Sequence, residues 1–118
     1  MAEVIILNSI EGWEQLKKEN NLGEELIIFK YSPVCPISSM VEGDLNTWLS
    51  GLPEDFKLKI AKLDVVESKE VSNKVAADLE IKHESPQVIW LTEDLKIKWC
   101  GSHYDITKNR LKAVMNKA

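Results

Sequence analysis

The chain has 118 residues and a mass of 13.4 kDa, room for one domain over residues 1–118 and too little for two. With 44% hydrophobic and 29% charged residues, it has the balance of a globular protein that builds a real core, which excludes a disordered chain or a small disulfide scaffold. Fifteen basic against nineteen acidic residues leave a net charge of −4 and no basic run to track phosphates, so nucleic acid is not an expected partner.

The opening Met1-Ala2-Glu3 lacks the basic-then-apolar pattern of an export signal, and a cytoplasmic location is expected. Val4–Leu7 reads as a short buried strand. Ser9 then offers a side-chain oxygen to cap a helix through about Asn20, with Ile10, Trp13, Leu16 and Lys17 at helical spacing and Gly23 closing the connection. Leu26–Tyr31 is apolar on consecutive residues, as suits a central strand of a parallel sheet buried on both faces. Neither apolar run approaches the roughly 20 residues that span a bilayer, so no membrane segment is expected.

After the loop Ser32–Cys35, the residues Ile37, Val41, Leu45, Trp48 and Leu49 form the apolar stripe of a helix of about fourteen residues, closed by Gly51 and Pro53. Leu58, Ile60 and Leu63 mark a third strand, ending near Asp64 and Val65. A helix from about Ser68 to Leu79 follows, burying Val71, Val75, Ala76 and Leu79. Val88–Leu91 and Leu95–Trp99 are strands joined by Thr92-Glu93-Asp94, too short a link for a parallel crossover, and so form an antiparallel hairpin. The last helix starts near Thr107 and runs through Leu111, Val114 and Met115. The order βαβαβαββα predicts an α/β protein whose central mixed sheet has helices on both faces, the thioredoxin order of elements.

Cys35 follows a predicted central strand and immediately precedes a helix. A cysteine there faces unpaired backbone N–H groups and the positive end of the helix dipole, which favour the thiolate, the nucleophilic form. Pro36 suits the first helical turn, where no N–H is required. Ser38 stands where a C-x-x-C motif would carry its second cysteine. Its hydroxyl can donate to a Cys35 thiolate but cannot close a disulfide, so the natural chemistry is monothiol exchange. Alternatively, Cys35 is a small buried hydrophobe at a helix start.

Pro86, just before a strand, suggests a cis Ser85-Pro86 bond, with the Ser85 backbone free to pair with a bound thiol peptide as an added strand. In the segment from Cys100 to Thr107, the helix N-terminus with Ser102 and His103 can hold a carboxylate of a small thiol ligand. A plain loop capped by Asp105 or Thr107, with a solvated histidine, fits the same residues. Cys100 falls by alternation on the lysine side of its strand, away from Ile97 and Trp99. It is either a resolving cysteine, which requires a Cα separation from Cys35 of roughly 4.4–6.8 Å, or an unpaired thiol. With two distant cysteines and no histidine pair at helical spacing, no metal site is expected, and His83 reads as a loop residue near the Ser85-Pro86 turn. The four tryptophans lie in separate elements and read as core or interface anchors.

Cys35-Pro36-Ile37-Ser38, Ser85-Pro86-Gln87-Val88 and Ser102-His103-Tyr104-Asp105-Ile106-Thr107 together resemble the YtxJ-like monothiol bacilliredoxins of the bacillithiol system, over nearly the whole chain. The resemblance implies a thioredoxin-like fold and an oxidoreductase that removes bacillithiol from protein mixed disulfides. Its partners would be S-bacillithiolated client proteins and bacillithiol, a low-molecular-weight thiol co-substrate, with no tightly bound cofactor. By the same resemblance, Cys35 is the attacking residue that takes the bacillithiol and Ser38 supports its thiolate. Pro86 is the cis-proline, and Ser102–Thr107, including His103 and Asp105, helps hold the ligand. Val34 stands where members of that family often carry Thr, and Cys100 lies outside the motifs. Two other readings of the same chain are a thioredoxin-like binding module without redox turnover and an iron–sulfur carrier in which two chains share a cluster through Cys35.

Overall fold

The computed structural model of the chain describes residues 2–19 and 24–116. Its elements, in chain order, are β1 (Ala2–Ile6), α1 (Ile10–Glu19), β2 (Glu25–Tyr31), α2 (Pro36–Ser50), β3 (Leu58–Asp64), α3 (Lys69–Leu79), β4 (Gln87–Leu91), β5 (Ile97–Ser102) and α4 (Lys108–Met115), with a 3₁₀ turn at His103–Asp105. The strands form one mixed sheet in the order β1-β3-β2-β4-β5, with β1, β3 and β2 parallel and β4 and β5 antiparallel. β2 is central and its residues Leu26–Lys30 are all buried, as expected of a strand covered on both faces. The expected helix end at Asn20 and the role of Gly23 lie outside the described residues.

Alternation along the strands sorts the core into two layers. On one face Ile27, Phe29, Ile60, Val88 and Trp90 meet Val41, Leu45 and Trp48 of α2 and Leu111 and Val114 of α4. On the other, Leu26, Ile28, Leu63, Ile89 and Leu91 meet Trp13 and Leu16 of α1 and Val71 and Val75 of α3. Caps fall where the residue types direct them: Ser9 Oγ accepts from the Gly12 N–H at 2.9 Å, and Thr107 Oγ1 from the Arg110 N–H at 3.1 Å. Among the described residues, no helix is long and apolar enough to cross a membrane.

Three expectations need correction. The run Val4–Leu7 is buried on one face only: β1 is an edge strand, Val4 and Ile6 are 53% and 65% exposed, while Ile5 packs against the second core layer and Leu7 is buried in it. β5 starts at Ile97 rather than Leu95 and runs on to Ser102. Leu95, with φ 63°, lies instead in the turn closed by Leu95 N–H to Thr92 O and Thr92 N–H to Lys96 O. α3 buries Ser72 beside Val71 and Val75, leaving Ala76 and Leu79 half-buried.

Candidate active site

β2 ends at Tyr31, and the chain turns through Ser32–Val34 to place Cys35 at the N-cap of α2, with extended backbone at φ −99° and ψ 119° and Pro36 as the first helical residue. The Cys35 side chain closes no capping hydrogen bond. The Ser38 and Ile37 N–H groups at the helix start, together with the Ser38 hydroxyl, nonetheless favour the thiolate and pull its pKa below the ordinary thiol value, outweighing partial burial. Ser38 is 2% exposed, and its Oγ accepts from the Ser32 N–H at 3.1 Å. That bond uses a lone pair and leaves the hydroxyl hydrogen free for the sulfur.

Strand register brings the other two motifs to the same end of the sheet. Lys30 of β2 pairs with Gln87 of β4, so the residue before Gln87 stands level with Tyr31 and the turn that leads to Cys35. That residue is Pro86, buried and joined to Ser85 by a cis peptide bond. Gln87 in turn pairs with Ser102, and the His103 N–H donates to Pro86 O at 3.0 Å, which lashes the 3₁₀ turn to the cis-proline. The turn also touches α2. His103 takes φ 52°, and His103, Tyr104 and Asp105 are exposed while Ile106 anchors the segment in the core. Ser85 Oγ is buried and has no hydrogen-bond partner among the described residues.

Thr107 is occupied as the cap of α4. The 3₁₀ turn separates Ser102 and His103 from the first residue of that helix, so the expected carboxylate site at a helix N-terminus is not assembled as one unit: Ser102 and His103 stand beside Pro86, and Thr107 faces Arg110.

Cys100 and Cys35 are both free thiols. Cys100 pairs with Ile89, on the sheet face covered by α1 and α3, whereas Cys35 starts the helix that covers the other face. Cys100 is exposed as a residue, but partial desolvation of its sulfur pushes the thiol upward despite the Gln87 Nε2 donor at 3.7 Å and the nearby Lys30 ammonium. Among the described residues, no group of three His, Cys, Asp or Glu side chains is placed to hold a metal.

Sequence reasoning passed over Lys30. It is fully buried in the central strand, with Nζ 3.1 Å from Ser72 O and 3.2 Å from His83 Nδ1. The available signal was a cation inside an otherwise apolar run, which burial permits only when acceptors surround it.

A model of the monothiol bacilliredoxin BrxC family matches residues 5–111. A solved structure provisionally described as an oxidoreductase with a thioredoxin fold superposes with a TM-score of 0.79 at 27% identity, covering 96% of this chain and 94% of that one. A thioredoxin of Nicotiana alata aligns with a TM-score of 0.71 at 18% identity over 95% of this chain and 89% of its own. Mitochondrial thioredoxin 3 of Saccharomyces cerevisiae aligns with a TM-score of 0.68 at 18% identity over 97% and 95%. The two thioredoxins attest the fold alone.

Proposed function

The chain belongs to the monothiol bacilliredoxin family and is a thiol-disulfide oxidoreductase of thioredoxin-like fold, and from that premise we propose that Cys35 removes bacillithiol from protein mixed disulfides. The observation that carries this reading is the thiol at the start of α2, its pKa lowered by the helix N–H groups, with Ser38 in place of a second cysteine.

The Cys35 thiolate attacks the bacillithiol sulfur of a modified client. A Cys35–bacillithiol disulfide forms as the client–bacillithiol bond breaks, and the client cysteine leaves as thiolate. A free bacillithiol thiolate then attacks that disulfide, releasing oxidised bacillithiol and restoring Cys35, so the two electrons come from bacillithiol. Ser38 steadies the thiolate as attacking and leaving group. The Ser85 backbone, ahead of the cis-proline, pairs with the incoming chain in the manner of an added strand. Ser102 and His103, beside Pro86, offer donors to a carboxylate of the small thiol, and Asp105, an acceptor in the same exposed turn, takes a hydroxyl or ammonium donor of that ligand. Thr107 contributes by fixing the start of α4.

Intact mass after incubating the reduced protein with oxidised bacillithiol tests the reading, in wild type and in Cys35→Ser and Cys100→Ser. One adduct is expected on wild type and on Cys100→Ser, and none on Cys35→Ser. An adduct that gives way to an internal disulfide, and persists only in Cys100→Ser, would replace the monothiol route by a dithiol one. No adduct on any folded variant would leave a binding module.

A further inference from the structure

Underneath the cis-proline segment lies a set of polar groups that the exchange chemistry does not use. Lys30 is buried in β2 and reaches across to two other elements: its Nζ donates to Ser72 O of α3 at 3.1 Å and meets His83 Nδ1 at 3.2 Å. His83 sits just ahead of Ser85-Pro86 in the connection from α3 to β4, and Ser72 Oγ is 3.2 Å from the same ring nitrogen. On the other flank of the proline, buried Gln87 pairs with Lys30 across the ladder, and its Nε2 donates to Lys82 O at 3.1 Å. Segment 82–87 is therefore fastened to the central strand on both sides of the cis-proline.

We propose that Lys30 and His83 are positioning residues: the contact of the buried Lys30 ammonium with the His83 ring holds the Ser85-Pro86 segment in the place where it receives the thiol-bearing client, and acidification releases it. This rests on the reading of Ser85-Pro86 as the substrate-binding segment.

The sign of the pH dependence follows from hydrogen-bond inventory. An ammonium has three donors and no lone pair, so its contact with Nδ1 requires that nitrogen to be unprotonated. Burial, and then the Lys30 charge, pull His83 below the usual histidine range, with Glu84 of the same segment acting in the opposite direction. Burial also lowers Lys30 to about 8, opposed by Cys100 of β5. Cys100 is itself pushed up by partial desolvation and is a neutral thiol at pH 7, so it does not neutralise Lys30 there. At neutral pH the pair is therefore ammonium and neutral imidazole, and the contact forms. Once His83 takes a proton, Nδ1 has no lone pair to offer, two cations face each other at the buried lysine, and the contact breaks.

The test uses the full chain, an S-bacillithiolated peptide as substrate, and wild type, His83→Leu and His83→Gln. His83 is an exposed residue outside both core layers, so its substitution leaves the core intact. Four quantities are followed from pH 5 to 8: KM and kcat for release of bacillithiol, the alkylation rate of Cys35, and amide hydrogen exchange over residues 82–85 without substrate. His83→Leu should raise KM about tenfold, the size of one lost charge-assisted hydrogen bond. Its exchange at residues 82–85 should be faster, with Cys35 alkylation unchanged. His83→Gln keeps an acceptor that does not titrate and should restore the neutral-pH KM while removing its rise on the acid side. Unchanged KM and exchange in His83→Leu, or an unaltered acid limb in His83→Gln, would overturn the strut. A wild type that releases no bacillithiol would sink the proposed function instead. Hydrogen exchange would then still decide the strut, which stands only if the acid-induced loosening of residues 82–85 is absent in His83→Gln.

Discussion

At the scale of single residues, two thiols of one chain are driven apart by their surroundings. Helix N-terminal N–H groups lower the Cys35 pKa, and partial desolvation raises that of Cys100. Alkylation at pH 7.5 followed by peptide mass mapping should therefore label Cys35 first, with Cys100 catching up only as the pH rises. Ser38→Ala removes both the hydroxyl that favours the thiolate and the acceptor of the Ser32 N–H. Alkylation of Cys35 at neutral pH should slow, and denaturant unfolding should register a loss of about 1–3 kcal/mol for the unpaired N–H.

Individual elements meet by devices whose loss has a calculable sign. Gly101 lies beneath the Trp99 indole, and a Cβ built there comes within 2.3 Å of the ring. Gly101→Ala must displace Trp99 from its packing against the core layer under α2 and α4, at a cost of about 1–3 kcal/mol in urea unfolding and with a changed tryptophan emission. Loss of the α4 cap in Thr107→Ala should cost about 1 kcal/mol in the same assay.

The α1–α3 contact depends on Asp78, which accepts from Trp13 Nε1 at 2.7 Å and pairs with Lys17 and Lys74 at 2.9 Å each. Hydrogen bonds from Lys17, Lys74 and Trp13 hold its carboxyl well below the usual carboxylate range. A depressed carboxylate binds its proton more weakly folded than unfolded, so its contribution is complete above about pH 4 and fades as the pH falls further. Asp78→Asn should flatten the acid limb of the stability curve, and thermal unfolding from pH 2 to 6 checks this.

Over the whole molecule, the ladder of strands decides which residues become neighbours. The order of elements and the parallel-then-antiparallel pairing were legible in the sequence because apolar runs, helical stripes and the short Thr92–Asp94 link leave few topologies open. The exposed face of β1 was not legible: a four-residue apolar run looks the same whether one face is buried or both. Lys30 links this scale to stability. Its folded value of about 8 lies below the roughly 10.4 of an unfolded lysine, so the unfolded chain binds more protons between those limits and stability rises with pH across that window. In a Cys100→Ser background, that slope should be present with Lys30 and absent in Lys30→Met, as read from urea midpoints at pH 7.5 to 10.5.

By itself the sequence determined the α/β class, the place of Cys35 at a strand-to-helix junction and the absence of a second cysteine at position 38, because these depend on local pattern and spacing. Only the tertiary structure decided that Pro86 stands level with the turn leading to Cys35, that His103 is tied to Pro86, and that Cys100 lies on the other side of the sheet. It alone also set a buried lysine beneath the cis-proline segment. Those are matters of register between strands far apart in the chain, and a shift of one residue in any pairing turns every side chain to the opposite face.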